Sequence, residues 1–255
     1  MISDFDLNGR TALVTGGGRG IGRAIALTLA EAGSNVAIAS RTQLELDEVA
    51  AEIKNMGRLA FPVLCDIVDP SSVDQLVSYA TNQMGGIDIL VNNAGISGSR
   101  PLTAFNDDNW DHIMKTNLSG PFYCCRAVAR HMMEHKSGRI INISSTAGVM
   151  ASPGGIAYNT SKAGLNMLTK VLATELAPYN IGVNGIGPGW FATEMTKDSL
   201  DTPEKRAQVT NIIPMKRLTD IRDLGLLAVY LASPASNWMT GQVIYLDGGQ
   251  TAAFL

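Results

Sequence analysis

The chain has 255 residues, 45% of them hydrophobic and 17% charged, enough for one large buried core. A formal net charge of −3 argues against a nucleic-acid binder, which would carry a basic excess. No apolar run approaches the ~20 residues of a membrane helix, and the opening MISDFDLNGR has two aspartates and no apolar stretch, so no secretory signal is expected.

TALVT (11–15) reads as the first strand, and a helix is expected over 19–32, stopping before Gly33. VAIAS (36–40) and a helix over 43–56 repeat the unit, which ends before Gly57. LAFPVLC (59–65) leads into a helix over 71–84, and IDILVN (87–92) is the fourth strand. The spacing then predicts one long helical region from about 107 to 136, the strand RIINIS (139–144) and a helix over about 155–176. The last strands are GVNGI (182–186) and QVIYLD (242–247). Apolar strands alternating with helices imply parallel βαβ units with helices on both faces. No linker, repeat or low-complexity segment divides residues 1–255. The expected fold is therefore α/β, a single Rossmann-type domain with a doubly wound parallel sheet of about seven strands. Its dinucleotide-binding part is expected over about 1–140. Pro62 lies inside the third strand, and proline belongs at sheet edges. In the order 3-2-1-4-5-6 the third strand is an edge.

Cys65, Cys124 and Cys125 make no disulfide framework, which fits a reducing, cytoplasmic setting. Cys124 and Cys125 fall in a predicted helix and read as small packing residues.

Directly after the first strand comes TGGGRGIG, Thr15 to Gly22, opening a helix. Glycines there allow a tight turn and let the backbone approach a pyrophosphate at the positive helix terminus. The spacing of Gly16, Gly20 and Gly22 is G-x-x-x-G-x-G, in place of G-x-G-x-x-G. Further along, YNTSK (158–162) sets Tyr158 four residues before Lys162, on one helix face. A tyrosine ionises near pH ~10 and is a poor acid or base at neutral pH, but a nearby cation favours its ionised form.

With this glycine loop, NNAG (92–95), Asn117, Ser145 thirteen residues before Tyr158, YNTSK, PG (188–189) and LDGG (246–249), the chain resembles the short-chain dehydrogenase/reductase family over essentially its whole length. The resemblance implies a nicotinamide cofactor held by Gly16, Arg19, Gly20, Ile21 and Gly22, with Asp66 and Ile67 beside the adenine. Asn93, Ala94, Gly95, Pro188, Gly189 and Thr193 complete the expected cofactor contacts, with Thr193 toward the carboxamide. It implies that Lys162 bonds the nicotinamide ribose and lowers the pKa of Tyr158, the general acid in reduction and base in oxidation. Ser145 would polarise the substrate oxygen, with Ser144 as the other available hydroxyl, and Asn117 would hold a water that relays protons to Lys162. The second strand ends in Ser40 and Arg41, where NAD-preferring relatives place an aspartate. Without that carboxylate, and with cations at Arg41 and Arg19, NADP(H) is expected over NAD(H).

A substrate lid is expected over about 189–218, with Trp190, Phe191 and Met195 as candidate pocket walls. The expected reaction interconverts a ketone and a secondary alcohol, the substrate being a small ketone, sugar acid or polyol. FATEMT (191–196) leans toward sugar-acid members such as gluconate 5-dehydrogenase. The alternative is a 3-oxoacyl-acyl-carrier-protein reductase, for which Lys136 suits an acidic partner but Tyr179 stands where those reductases carry arginine. The resemblance also implies a homotetramer paired through helices near 119–136 and 155–176, with Ala157, Ala163 and Gly164 as close-packing positions. Two rivals come from other classes. HMMEH (131–135) matches an inverted zinc-protease pattern but lacks an announced third ligand, so no metal is expected. A non-catalytic nucleotide sensor would not need the Asn117–Ser145–Tyr158–Lys162 set.

Overall fold

Alternation along each strand decides which helix covers which face. In β1 (Thr11–Thr15) Ala12 and Val14 join one core and Leu13 the other. In β4 (Ile89–Asn92) and β5 (Gly138–Ile143) the split repeats, with Ile89, Val91 and Ile141 against Leu90 and Ile140. The first core is closed by α1 (Gly20–Glu31), α2 (Gln43–Asn55) and α9 (Arg222–Ala232). The second is closed by α3 (Pro70–Met84), α5 (Gly120–His135) and α6 (Ile156–Leu176). Leu13, Ile38 and Ile140 are fully buried. Each such side chain is stabilised by about 1.5–3 kcal/mol on leaving water.

The computed structural model describes residues 2–253. Among these, β2 (Asn35–Ser40), β3 (Ala60–Leu64), β6 (Ile181–Pro188) and β7 (Val243–Leu246) complete one seven-stranded sheet in the order β3-β2-β1-β4-β5-β6-β7. All six pairings are parallel, as the alternating pattern implied. Pro62 pairs with Ile38 on the edge strand β3, where its missing N–H breaks no ladder in the sheet interior.

The long helix expected over 107–136 is interrupted. It divides into α4 (Asp107–Met114), a π-helical turn over Lys115–Ser119, and α5. The cause is Gly120–Pro121: proline has no N–H for the carbonyl four residues back, that of Asn117. The Gly120 N–H instead reaches Lys115, five residues back. This turn buries Thr116 and Asn117 below the sheet's functional edge.

The expected lid contains a short turn over Glu194–Thr196, α7 (Lys197–Leu200) and α8 (Pro203–Asn211). It has its own small core of Leu200, Val209 and Ile213, against which Trp190 and Leu218 pack. Phe191 is not a pocket wall, because it is buried in the main core.

Candidate active site

In a parallel sheet all strands deliver their carboxyl ends to one edge, and ligands bind there. The loops after β1 to β5 enclose one continuous cavity of about 700 Å³ at that edge, well within the ~300–1,000 Å³ of ligand pockets. Gly16, Arg19, Gly20, Ile21, Ser40, Arg41, Asp66, Ile67, Asn93, Ala94, Gly95, Tyr158, Lys162 and Thr193 all line it. Residues separated by more than 170 positions in sequence thus meet in one groove.

At one end, α1 aims its N-terminus at the cavity, presenting unpaired N–H groups and a partial positive charge. A Cβ on Gly22 would collide with the Gly16 carbonyl and the Asn93 amide, so the turn closes only with glycine there. The Asn93 side chain donates to the carbonyls of Thr15 (3.0 Å) and Gly16 (3.1 Å), tying the loop to the end of β4. At the end of β2, the Thr42 N–H donates to Ser40 Oγ at 3.2 Å and Arg41 is exposed. Glu45, in the first turn of α2, also lines the cavity and lies 3.4 Å from Arg19 Nη1. Sequence reasoning passed over Glu45; its place in the first turn after Arg41 was the available signal.

At the other end, α6 carries Tyr158 and Lys162 on one face, with Lys162 Nζ 5.7 Å from the Tyr158 ring centre. Lys162 is buried and donates to the Ile143 carbonyl at 2.8 Å. That burial brings its pKa from 10.5 down to about 8. Burial pushes Tyr158 up, and a hydrogen bond with Ser145 pulls the other way. The expectation that Lys162 lowers the phenol is therefore not met by this chain alone: the ammonium lies over the ring face and is itself desolvated. Ser144 and Ser145 divide sharply. The Ser144 hydroxyl turns inward and donates to Asn166 Oδ1 at 2.6 Å, whereas Ser145 Oγ accepts the Ala147 N–H at 3.1 Å beside Tyr158.

Asn117 stands behind the cavity wall. Its amide accepts from the Ile96 N–H (2.9 Å) and donates to the Ile96 carbonyl (2.8 Å) and Ser161 Oγ (3.1 Å). The side chain is thus engaged on every side, and its own carbonyl is the one that Pro121 leaves without the usual donor. Ser145, Pro188 and Gly189 do not line the cavity either; Pro188 and Gly189 root the expected lid on β7, where the Gly189 N–H donates to the Leu246 carbonyl at 3.0 Å. Of the lid aromatics and methionine, Met195 alone lines the cavity.

The HMMEH segment closes α5 at the opposite end of the sheet. The His131 and His135 ring centroids lie 4.1 Å apart with their planes tilted by 37°, and His135 Nδ1 faces the His131 carbonyl at 2.8 Å. Among the described residues no group of three His, Cys, Asp or Glu side chains is placed to hold a metal. None of the helices among these residues is long and apolar enough to cross a membrane.

A glycine-rich turn, a parallel sheet and a groove at its carboxyl edge define a dinucleotide-binding protein of the Rossmann class. The family model described as short chain dehydrogenase matches residues 10–204. The chain belongs to the short-chain dehydrogenase/reductase family and is an oxidoreductase acting on CH–OH groups. It is 38% identical over 241 residues to the 3-oxoacyl-acyl-carrier-protein reductase FabG of Staphylococcus epidermidis, covering 94% of this chain and 98% of that one. It is also 38% identical over 249 residues to gluconate 5-dehydrogenase of Gluconobacter oxydans, covering 98% and 97%. A crystal structure of gluconate 5-dehydrogenase from Burkholderia cenocepacia, in complex with NADP and tartrate, superposes with a TM-score of 0.94 at 38% identity and 98% coverage of each chain.

Proposed function

We propose that the protein interconverts a ketone and a secondary alcohol using NADP(H), with Tyr158 as proton donor and acceptor. The observation that carries this reading is the single groove running from the glycine loop and Arg41 to Tyr158 and Lys162. Its residues fit a phosphorylated dinucleotide: N–H groups at one helix terminus, a guanidinium at the end of β2, and a buried ammonium at the far end. NADP in the Burkholderia relative supports the cofactor class. The bound nicotinamide would supply or accept the hydride.

The chain's own residues manage the proton and the geometry. Ser145 holds the substrate oxygen as negative charge develops on it, and the Tyr158 hydroxyl delivers a proton to that oxygen in reduction. Tyr158 is then left as phenolate, to be reprotonated by way of Lys162. The Asn117 carbonyl, which Pro121 leaves without its usual donor, would hold a water leading toward Lys162. Gly95 leaves room for this approach, since a Cβ there would sit 3.3 Å from Asn117 Oδ1 and 3.5 Å from Lys162 Nζ.

Tartrate in the Burkholderia relative supports a hydroxylated acid or polyol as the substrate class. The acyl-carrier alternative loses one prop. Lys136 ends α5 in a left-handed cap at the opposite end of the sheet, away from the cavity of its own subunit. The expected homotetramer is supported by apolar side chains left outside on α5 and α6: Phe122, Met167 and Val171. Ala163 is exposed beside them, whereas Ala157 is buried and packs within the subunit. A cytoplasmic setting accords with the three free, buried cysteines.

The test is NADPH consumption with 5-ketogluconate, ethyl acetoacetate and an acetoacetyl thioester. Turnover of the sugar acid above the thioester is expected. Turnover of none of the three, or of the thioester alone, contradicts the reading.

A further inference from the structure

Glycine at 187 has a structural use that the sequence does not announce. Gly187 pairs with Tyr245 across the β6–β7 ladder, and a Cβ on Gly187 would overlap the Tyr245 ring. The bare backbone therefore lets the phenol lie flat across β6. Its hydroxyl accepts from Asn166 Nδ2 at 3.1 Å. Asn166 is one turn beyond Lys162 on α6 and is buried. The same Nδ2 donates to the Gly148 carbonyl at 3.3 Å, while Oδ1 accepts from Ser144 Oγ at 2.6 Å. A carbonyl can only accept, so the contact with Gly148 fixes which way the amide points. Gly148 repeats the device seen at Gly187, since a Cβ there would come within 2.5 Å of Asn166 Nδ2.

Ser144 and Gly148 bracket Ser145. The turn between them is held by Gly148 N–H to the Ser145 carbonyl (2.9 Å) and by Ala147 N–H to Ser145 Oγ. Ser144 is also fixed through its backbone, whose N–H donates to the Ile186 carbonyl at 2.7 Å. One amide thus grips both ends of the Ser145 turn, and one phenol on the next strand but one grips the amide. Neither Asn166 nor Tyr245 lines the cavity, and Asn166 meets it only through Ser144, which does.

We propose that Asn166 and Tyr245 are positioning residues for Ser145, made possible by the missing side chains at Gly187 and Gly148. The inference rests on the proposed role of Ser145 in holding the substrate oxygen. With one tether lost, the Ser145 hydroxyl samples orientations that do not face the substrate.

The test compares Tyr245→Phe, Asn166→Ala and Ser145→Ala, alone and combined, with NADPH and whichever of 5-ketogluconate or ethyl acetoacetate the wild type reduces. Losing one neutral hydrogen bond lowers kcat about three- to tenfold for Tyr245→Phe, and more for Asn166→Ala, which loses three. KM for NADPH stays within about twofold of wild type in each, since none of the three substituted residues itself lines the groove. In the Ser145→Ala background Tyr245→Phe has no further effect, whereas a merely structural role would lower activity in both backgrounds. Hydrogen exchange of the Ala147, Gly148 and Val149 amides gives a readout that needs no substrate: faster exchange in Tyr245→Phe at unchanged Tm. A Tyr245→Phe enzyme with wild-type kcat and wild-type exchange overturns the inference. Full activity in Ser145→Ala overturns the reading beneath it instead.

Discussion

The two ends of the groove are built on different principles. At the reaction end Lys162 is buried and bonded to the Ile143 carbonyl of β5, and behind it the buried Asn166 is bonded to Ser144. At the other end Arg19 and Arg41 are exposed, and Arg19 meets Glu45 at a loose 3.4 Å. Chemistry needs donors fixed before the transition state arrives. Discrimination between two cofactors that differ by one phosphate needs only the right sign of charge in reach. Changes at the first end should therefore alter kcat, and changes at the second should alter which cofactor binds.

The largest expected effect lies at the reaction end. Tyr158→Phe removes only the hydroxyl, and kcat should fall by about 10²–10⁴-fold in steady-state assays, as loss of a general acid does. Near wild-type turnover would remove Tyr158 from the chemistry.

Next comes Lys162. Its pKa in the fold, about 8, lies below the ordinary 10.5, so the unfolded chain takes up a proton that the folded chain holds less readily. Burial of this ammonium is therefore unfavourable at pH 7, and the penalty is relieved as pH rises from about 8 toward 10. The depression corresponds to about 3 kcal/mol, an upper limit because the bond to the Ile143 carbonyl is lost with the side chain. Without added nucleotide, Lys162→Met should melt a few degrees higher than wild type at pH 7 while losing turnover. The gap should narrow at pH 9.5. A lower melting temperature at pH 7 would contradict the burial cost.

At the phosphate end, Ser40→Asp with Arg41→Leu replaces a neutral donor and a cation by an anion and an apolar chain. KM for NADPH should rise by roughly one to two decades while NADH is little affected, since charge-assisted bonds contribute about 1.5–3 kcal/mol each. An unchanged ratio of kcat/KM for the two cofactors would show that the end of β2 is not the selector. The smallest effect is expected from Glu45→Gln. It frees Arg19 from a partly exposed ion pair, of the kind that contributes only ~0–1 kcal/mol, and should tighten NADPH binding by a few-fold at most. Weaker NADPH binding would mean that Glu45 positions Arg19 for the phosphate.

How legible these features were in the sequence follows from the range of the interactions. Strand faces, the Pro62 edge and the glycine turn were legible, because alternation, ring geometry and missing side chains act within a few residues. The helix break at 115–119 was missed although Gly120–Pro121 announced it, since a smooth apolar pattern runs through the turn. Spacing put Tyr158 and Lys162 on one helix face and the family resemblance gave them their roles, but the Lys162 pKa was not legible, because desolvation comes from β5 and the loop after β4 packing around it. The amide of Asn117 finds Ile96, 21 residues away, and that of Asn166 finds Tyr245, 79 residues away. Such pairs exist only once the sheet has formed. Phe191 was misjudged for the same reason: a lid residue by sequence, it belongs to the core beneath α9.

The two ends act separately, and the sharpest check of that separation is Tyr158→Phe. Dissociation constants for NADPH and NADH should be measured on this variant and on wild type by fluorescence titration, beside turnover. Turnover should be lost with the NADPH-to-NADH affinity ratio unchanged and favouring NADPH by at least about tenfold, the contribution of one charge-assisted bond. Retained turnover, a ratio that shifts with Tyr158, or a wild type that binds NADH the tighter would contradict it.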